Sequence, residues 1–189
     1  MPRVIDHALY KEEILTKCFD LFARRGYASL TMRELAKELG ISTGSLYHYF
    51  PSKEDIFGEM IAWLSNRDVQ RVVSQIPPDA PLETRLKILI QFVTLQEADF
   101  LRLLLLVLDY KRARPEEGEA AVRAVLEIYK VAIREQLGGD PTLSDFIFNS
   151  MMGLIAGRYL DDGVDFEAQM QLIGTAVIAM LGARETAAT

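Results

Sequence analysis

The residues of this sequence that could act as nucleophiles, acids, bases or metal ligands do not form a known catalytic motif. There is no glycine-rich phosphate loop and no serine elbow, and no His stands with Asp and Ser in a credible triad. The only histidines, His7 and His48, lie too far apart to match a metal-ligand motif. Asp161, Asp162 and Asp165 are typical of a solvated turn followed by a helix N-cap. We therefore expect no catalytic residue, no metal site, no cofactor and no enzymatic activity.

The informative stretch is residues 31–50, TMRELAKELGISTGSLYHYF. Its spacing fits a helix-turn-helix, in which two short helices cross steeply and the second lies in the DNA major groove. Thr31 and Glu34 form a capping-box pattern and Ser42 is the N-cap of the second helix. Ala36 supplies the small residue that the crossing needs, and Gly40 the positive φ of the turn. Apolar residues with the spacing to lock the two helices together are Leu35, Leu39, Ile41, Leu46 and Tyr49.

The elements that must position this motif are also helical. Apolar residues recur at steps of three and four almost throughout, which predicts an all-α protein of about nine helices. The first four should cover about residues 10–25, 32–39, 43–49 and 52–76. We expect a loop over residues 111–119, because it contains Pro115 and Gly118. After the break at residues 138–141, Thr142 with Asp145 is the expected cap of the eighth helix.

Charge and composition favour a cytoplasmic protein with a basic head. Residues 1–53 contain eight Lys or Arg against six Asp or Glu, a net charge of +2, whereas the remaining residues carry −8. A protein that presents only its head to phosphates would have this asymmetry. The N-terminus lacks a signal-peptide pattern, and the longest apolar run is too short to cross a membrane. The single cysteine, Cys18, has the spacing of a core residue.

The residues of this motif resemble a known family. The run Gly26-Tyr27, then Thr31, Ala36, Gly40 and Ser42, and finally GSLYHYF at 44–50 with Ser52-Lys53-Glu54, is similar to the tetracycline-repressor (TetR) family. The resemblance covers about residues 10–60. It implies an N-terminal three-helix DNA-binding domain, residues 1–51, and a helical effector-binding and dimerisation domain, residues 52–189.

The resemblance also implies which residues contact operator DNA. Thr31 at a helix N-terminus, with Tyr47, His48 and Lys53, would contact phosphates or base edges, and Ser42, Thr43 and Gly44 would lie closest to the bases. The expected DNA-contacting set is Thr31, Arg33, Ser42, Thr43, Gly44, Ser45, Tyr47, His48 and Lys53. Between Lys37 and Lys53 there is no Lys or Arg, so the recognition helix cannot make the bidentate arginine–guanine contact, and we expect modest specificity per half-site.

The last two helices are expected to form a homodimer interface, because both are too apolar around their circumference to face water. The expected interface residues are Phe146, Ser150, Gly153, Gly157, Met170, Ile173 and Val177. An ordinary intramolecular core is the alternative explanation of the same pattern.

In members of the family, the middle helices enclose an effector pocket. The expected pocket residues here are Met60, Trp63, Phe92, Gln96, Phe100, Tyr110, Tyr129 and Met152. A ligand would be small and mostly apolar, oriented by Gln96, Arg102, Tyr110 or Tyr129. The same residues at helical spacing also fit a plain core. The implied function is therefore a ligand-responsive repressor that binds a near-palindromic operator as a homodimer. The alternative is a similar regulator that responds to a protein partner or to no small molecule, or that activates transcription.

Overall fold

A computed structural model describes residues 7–187 of the chain. The described residues form nine α-helices and no strand, which confirms the predicted all-α fold. The helices are α1 His7–Arg25, α2 Met32–Leu39, α3 Thr43–Tyr49, α4 Lys53–Val73, α5 Leu82–Leu95, α6 Glu97–Ala113, α7 Pro115–Gln136, α8 Pro141–Leu160 and α9 Phe166–Ala187.

The helices are distributed over two compact units. Among the described residues, unit 1 comprises residues 7–67 and 102–125, and unit 2 comprises residues 68–101 and 126–187. Helices α4, α6 and α7 each contribute residues to both units. The predicted boundary between residues 51 and 52, which divides the DNA-binding domain from the effector-binding and dimerisation domain, stays a prediction.

Unit 1 is built on an aromatic core. Helix α1 buries Cys18 and Phe22 completely, and Gly26 ends the helix with a positive φ of 79° while its N–H donates to the Phe22 carbonyl at 2.8 Å. The ring of Phe57 stacks on that of Tyr110 with centroids 3.9 Å apart, and Tyr27 meets Tyr110 edge-on at 4.6 Å. Each such buried ring contributes about 1.5–3 kcal/mol through burial alone. This core fixes the N-terminal helices against the start of α4 and the end of α6.

The expected loop over residues 111–119 is wrong, because only Arg114 separates α6 from α7. Proline is compatible with the first turn of a helix, where its missing N–H costs nothing, so Pro115 begins α7. Gly118 allows a close approach: a Cβ at this position would lie 2.8 Å from the Cα of Lys111. The glycine therefore marks close packing between two helices, and not a loop.

Unit 2 contains α5, α8 and α9. Helix α8 begins two residues earlier than expected, because Asp140 and not Thr142 is its N-cap. The carboxylate of Asp140 accepts from the N–H groups of Thr142 at 2.7 Å and Leu143 at 3.2 Å. A Cβ on Gly174 of α9 would lie 2.4 Å from Cδ1 of Ile90 on α5, so these two helices pack closely. The fully buried side chains of this unit include Ile147, Ile155, Met170 and Val177.

Candidate nucleic-acid interface

The N-terminus of α2 is fixed by a capping box. The Thr31 hydroxyl accepts from the N–H of Glu34 at 3.3 Å, and the backbone N–H of Thr31 donates to the Glu34 carboxylate at 2.9 Å. The Thr31 hydroxyl also lies 2.8 Å from the same carboxylate oxygen. Hydrogen bonds from the Thr31 side chain and backbone lower the pKa of Glu34 below its usual value. Thr31 is thus exposed but already engaged in ordering the start of α2.

The turn between α2 and α3 has the geometry that the sequence predicts. Gly40 adopts φ 72°, in the left-handed region, and its N–H donates to the carbonyl of Lys37 at 3.2 Å. Ile41 continues the turn by donating to the carbonyl of Ala36 at 3.0 Å. Ala36 and Leu46 are buried where the two helices meet. The local sequence therefore sets how α3 leaves α2.

Helix α3 presents a polar face to solvent. Ser42 is its N-cap and accepts from the N–H of Ser45 at 3.0 Å. Gly44, Tyr47 and His48, which are three and four residues apart, are exposed together, and Tyr47 exposes 51% of its surface. Leu46 points into the core, as expected. The predicted contact residues of α3 thus share one accessible side of the helix, with Thr43 and Ser45 half-buried at its first turn.

Tyr49 connects the recognition helix to α1. It is half-buried, its ring centroid lies 5.5 Å from that of Tyr10, and its hydroxyl lies 2.9 Å from Nδ1 of His7. The ring of His48 meets Tyr49 edge-on, with centroids 5.4 Å apart. This packing holds the exposed His48 ring from one side.

The structure places Lys53 differently from the other predicted DNA contacts. Its ammonium donates to the carbonyls of Tyr27 at 3.0 Å and Leu30 at 2.7 Å, and it lies 4.0 Å from the centroid of the Tyr27 ring. Burial lowers the pKa of Lys53 below its usual value. Arg33 and Lys37, by contrast, are exposed on α2. The ammonium of Lys53 thus holds the segment that leads into Thr31.

A network of polar side chains around Tyr27, which the sequence analysis did not predict, supports the N-terminal helices. The buried N–H of Tyr27 donates to the Asp109 carboxylate at 2.7 Å, and the Tyr27 hydroxyl donates to Glu54 at 2.8 Å, where Arg114 also pairs. Burial alone would raise the pKa of Glu54, but hydrogen bonds from Tyr27, its own backbone and Arg114 outweigh it and lower that pKa. Arg102 pairs with Asp20 at 2.6 Å. These partners are 27 to 82 residues apart, so no local pattern indicates them.

Half of the predicted pocket residues line one cavity. The cavity lies within unit 2 and has a volume of about 60 Å³. Its wall includes four of the predicted residues, Phe92, Phe100, Tyr129 and Met152.

The other four predicted pocket residues lie elsewhere. Met60, Trp63 and Tyr110 belong to unit 1, where Met60 is fully buried and Tyr110 stacks on Phe57, and Gln96 is the C-cap of α5. The cavity wall also contains residues that the sequence analysis did not predict, among them Asp68, the first residue of α4 to line it.

The predicted interface residues divide between surface and interior. Phe146 and Gly153 are exposed, and Ser150, Gly157 and Ile173 are half-buried. Met170 and Val177 are buried completely within the protomer, so they do not lie on an accessible face. Helix α9 contains the one segment among the described residues, Phe166–Ala183, that is long and apolar enough to cross a membrane by length and composition alone, and only 22% of it is buried.

Comparisons with known proteins agree with this arrangement. Residues 14–60 match a family model described as bacterial regulatory proteins, tetR family. The HTH-type transcriptional repressor KstR2 of Mycolicibacterium smegmatis is 39% identical over 61 residues, which is 30% of this chain and 30% of that protein. The alignments with the first curated relatives span only 21% to 48% of those proteins.

Solved structures extend the likeness to most of the chain. The fatty acid degradation regulator FadR from Bacillus halodurans has a TM-score of 0.71 at 22% identity, covering 88% of this chain and 93% of that one. The regulator FadR from Bacillus subtilis, solved in complex with stearoyl-CoA, has a TM-score of 0.67 at 20% identity, covering 89% and 97%. At this identity, the likeness establishes a shared fold.

Proposed function

Because residues 14–60 match the tetR family of bacterial regulatory proteins, we propose that the chain is a regulator of that family. It binds a near-palindromic operator as a homodimer and represses transcription until a small ligand releases it. A protein of that family is a DNA-binding transcriptional regulator and not an enzyme. A regulator of this kind acts in the cytoplasm.

One observation supports operator binding above the others. The capped start of α3 and its exposed face, with Gly44, Tyr47 and His48, form a surface that a major groove accommodates. Since α3 has no lysine or arginine, base discrimination relies on hydroxyl groups, the His48 ring and DNA shape. Arg33 and Lys37 on α2 supply cations for phosphates.

An exposed apolar face supports the homodimer. Phe146, Gly153 and Leu160 recur every seven residues along α8, so they share one side of that helix, and Leu160 exposes 82% of its surface. On α9, Leu172 and Met180 are exposed at 60% and 42%. Exposed apolar side chains that share a helix face are a feature of protein interfaces. A second copy covering both helices would also explain why the apolar segment of α9 is so little buried.

The cavity in unit 2 supports a small-molecule ligand. A fully packed unit would have favoured a regulator without a ligand, whereas the cavity is lined mainly by aliphatic, aromatic and methionine side chains. The complex of the Bacillus subtilis regulator with stearoyl-CoA makes an apolar chain a candidate ligand class. Four residues of α4 lie in the wall, Asp68, Val69, Val72 and Val73. The same helix begins at Lys53, four residues after α3 ends. A ligand that favours another position of α4 would therefore change the fit of α3 to DNA.

Selection from a random duplex library tests the proposal. The purified protein is incubated with the library at low salt, and the retained duplexes are sequenced. We expect an enriched near-palindrome whose half-sites are spaced for two recognition helices. Tyr47→Ala should reduce retention, whereas Leu108→Ala, which truncates an exposed side chain on α6, should leave retention and the enriched sequence unchanged. No enrichment by a folded dimer would contradict operator binding by the unliganded protein.

A further inference from the structure

The segment between α1 and α2 is held by side chains from other helices. Its internal backbone hydrogen bond, from the N–H of Leu30 to the carbonyl of Tyr27, is long at 3.5 Å. The N–H of Tyr27 donates to the Asp109 carboxylate of α6 at 2.7 Å, and the Tyr27 carbonyl accepts from the Lys53 ammonium of α4 at 3.0 Å. Both polar groups of the Tyr27 backbone thus bind charged side chains that lie far away in the chain.

Gly26 gives the Asp109 carboxylate access to this backbone. The glycine has a positive φ of 79°, and a Cβ in its place would lie 3.3 Å from the carboxylate oxygen that accepts from Tyr27. Asp109 exposes 23% of its side chain, and its second oxygen pairs with Arg112 at 3.0 Å. Tyr27 is buried. Because a buried N–H without an acceptor is costly, the position of the carboxylate restricts where the Tyr27 backbone can lie.

The next residue of α6 holds the side chain of the same tyrosine. Tyr110 meets the Tyr27 ring edge-on, with centroids 4.6 Å apart, while the Tyr27 hydroxyl donates to Glu54 at 2.8 Å. Thr31, the N-cap of α2, follows Tyr27 by four residues. A shift of this part of α6 therefore displaces Tyr27, and the start of α2 with it, unless the hydrogen bond to Asp109 breaks.

We propose that Asp109 is a positioning residue for operator binding, because its carboxylate makes the orientation of α2 and α3 depend on the position of α6. The inference rests on the operator binding proposed above. Asp109 does not contact DNA in this role. It raises the fraction of molecules whose recognition helix already has the orientation that the major groove requires. When the hydrogen bond is lost, the apparent operator affinity falls in proportion to that fraction.

Charge and positioning predict opposite effects of the same substitution. Asp109→Ala removes a negative charge, which by charge alone would tighten binding to DNA. Loss of positioning should weaken binding to the duplex selected from the library by at least about tenfold. Asp109→Asn also removes the charge, but its amide oxygen can still accept from the N–H of Tyr27. The affinity of this variant should therefore stay within about threefold of the original.

The affinities are measured by fluorescence anisotropy with the full-length protein, and circular dichroism at the assay temperature confirms that each variant is folded. Two controls should bind within about twofold of the original. Arg112→Ala leaves the hydrogen bond to Tyr27 intact, and Val125→Ala weakens the core of unit 1 at a buried residue of α7. Hydrogen exchange followed by NMR should show the Tyr27 N–H exchanging at least about tenfold faster in Asp109→Ala than in the unmodified protein or in Asp109→Asn.

The outcomes separate this inference from the proposed function. Weaker binding by Asp109→Ala that Asp109→Asn restores, and that neither control shows, would support the positioning role. Unchanged or tighter binding by Asp109→Ala, or a comparable loss in Val125→Ala, would overturn it. If Asp109→Ala does not fold, Asp109→Glu takes its place, because it keeps the charge but moves the carboxylate by one methylene, and unchanged affinity would overturn the inference. Failure of the unmodified protein to bind any duplex would contradict operator binding, and the positioning role with it.

Discussion

Replacing Lys53 with methionine removes the ammonium but retains most of the aliphatic stem. The lost interactions are two charge-assisted hydrogen bonds to the carbonyls of Tyr27 and Leu30 and the cation–π contact with the Tyr27 ring. Such hydrogen bonds contribute about 1.5–3 kcal/mol each, and a partly exposed cation–π pair about 0.5–1 kcal/mol. Burial of the ammonium, which lowers the pKa of Lys53, offsets part of this. We expect the free energy of unfolding to fall by about 2 kcal/mol.

Two measurements distinguish positioning from phosphate contact. Urea unfolding at one fixed protein concentration gives the stability change, since a dimer's stability depends on concentration. The slope of log K against log salt for the selected duplex gives the number of phosphates contacted. If Lys53 positions the segment before α2, Lys53→Met leaves that slope unchanged.

Lys37→Met is the matched control, because Lys37 is exposed on α2 and undergoes the same chemical change. It should alter stability by less than about 0.5 kcal/mol, and a phosphate contact would lower the salt slope by about one. The reasoning is refuted if Lys53→Met leaves stability intact and lowers the slope by about one. That result would mean that the ammonium leaves both carbonyls to bind a phosphate.

Three further changes test other parts of the structure. Leu172→Glu should weaken dimerisation at least a hundredfold, because each dimer would bury two new charges. In sedimentation experiments this variant should be a monomer, whereas the control Gln171→Glu, which adds the same charge at the neighbouring exposed position, should remain a dimer. In denaturant unfolding, Gly118→Ala should lower stability by about 1–3 kcal/mol, because the new Cβ would clash with the backbone of Lys111. Gly58→Ala is the control: its Cβ would have open space, so the better helix propensity of alanine should raise stability by up to about 1 kcal/mol. Glu54→Gln should lower the melting temperature most near pH 7. Since the folded-state pKa of Glu54 is lowered, its stabilisation is lost as the pH falls through that value, so melts near pH 3 should show a smaller difference or none.

The helix-turn-helix was predictable because its signals are local. A cap, a small residue and a positive-φ glycine each act within four residues, and Thr31, Ala36 and Gly40 have the expected roles. The prediction of a loop at the junction of α6 and α7 was wrong because the structure there depends on packing between helices, which local signals do not show. Pro115 and Gly118 are loop residues by propensity, but close packing against Lys111 requires glycine and a helix start tolerates proline.

The cavity and the dimer face were only partly predictable because they depend on which helices meet. Aromatic and methionine side chains at helical spacing indicate burial, but not the unit in which they are buried, so Phe92 lines the cavity and Met60 does not. Helix α9 is apolar around most of its circumference, and therefore the sequence could not separate the buried Val177 from the exposed Leu172. The contact of Asp109 with Tyr27, 82 residues apart, leaves no local pattern at all.

Two helices give the proposed ligand a physical route to the DNA-binding head. Helix α4 carries Asp68 on the cavity wall and Phe57 in the aromatic core of unit 1. Helix α6 carries Phe100 on the same wall and, nine residues later, Asp109, which holds the backbone of Tyr27. A ligand shifts an equilibrium only if it binds two states differently. Because the cavity is too small for a hydrocarbon of several carbons, we propose that such a ligand favours a state in which the wall residues of α4 or α6 have moved. On this proposal, the small volume couples ligand binding in unit 2 to the residues that support α2 and α3.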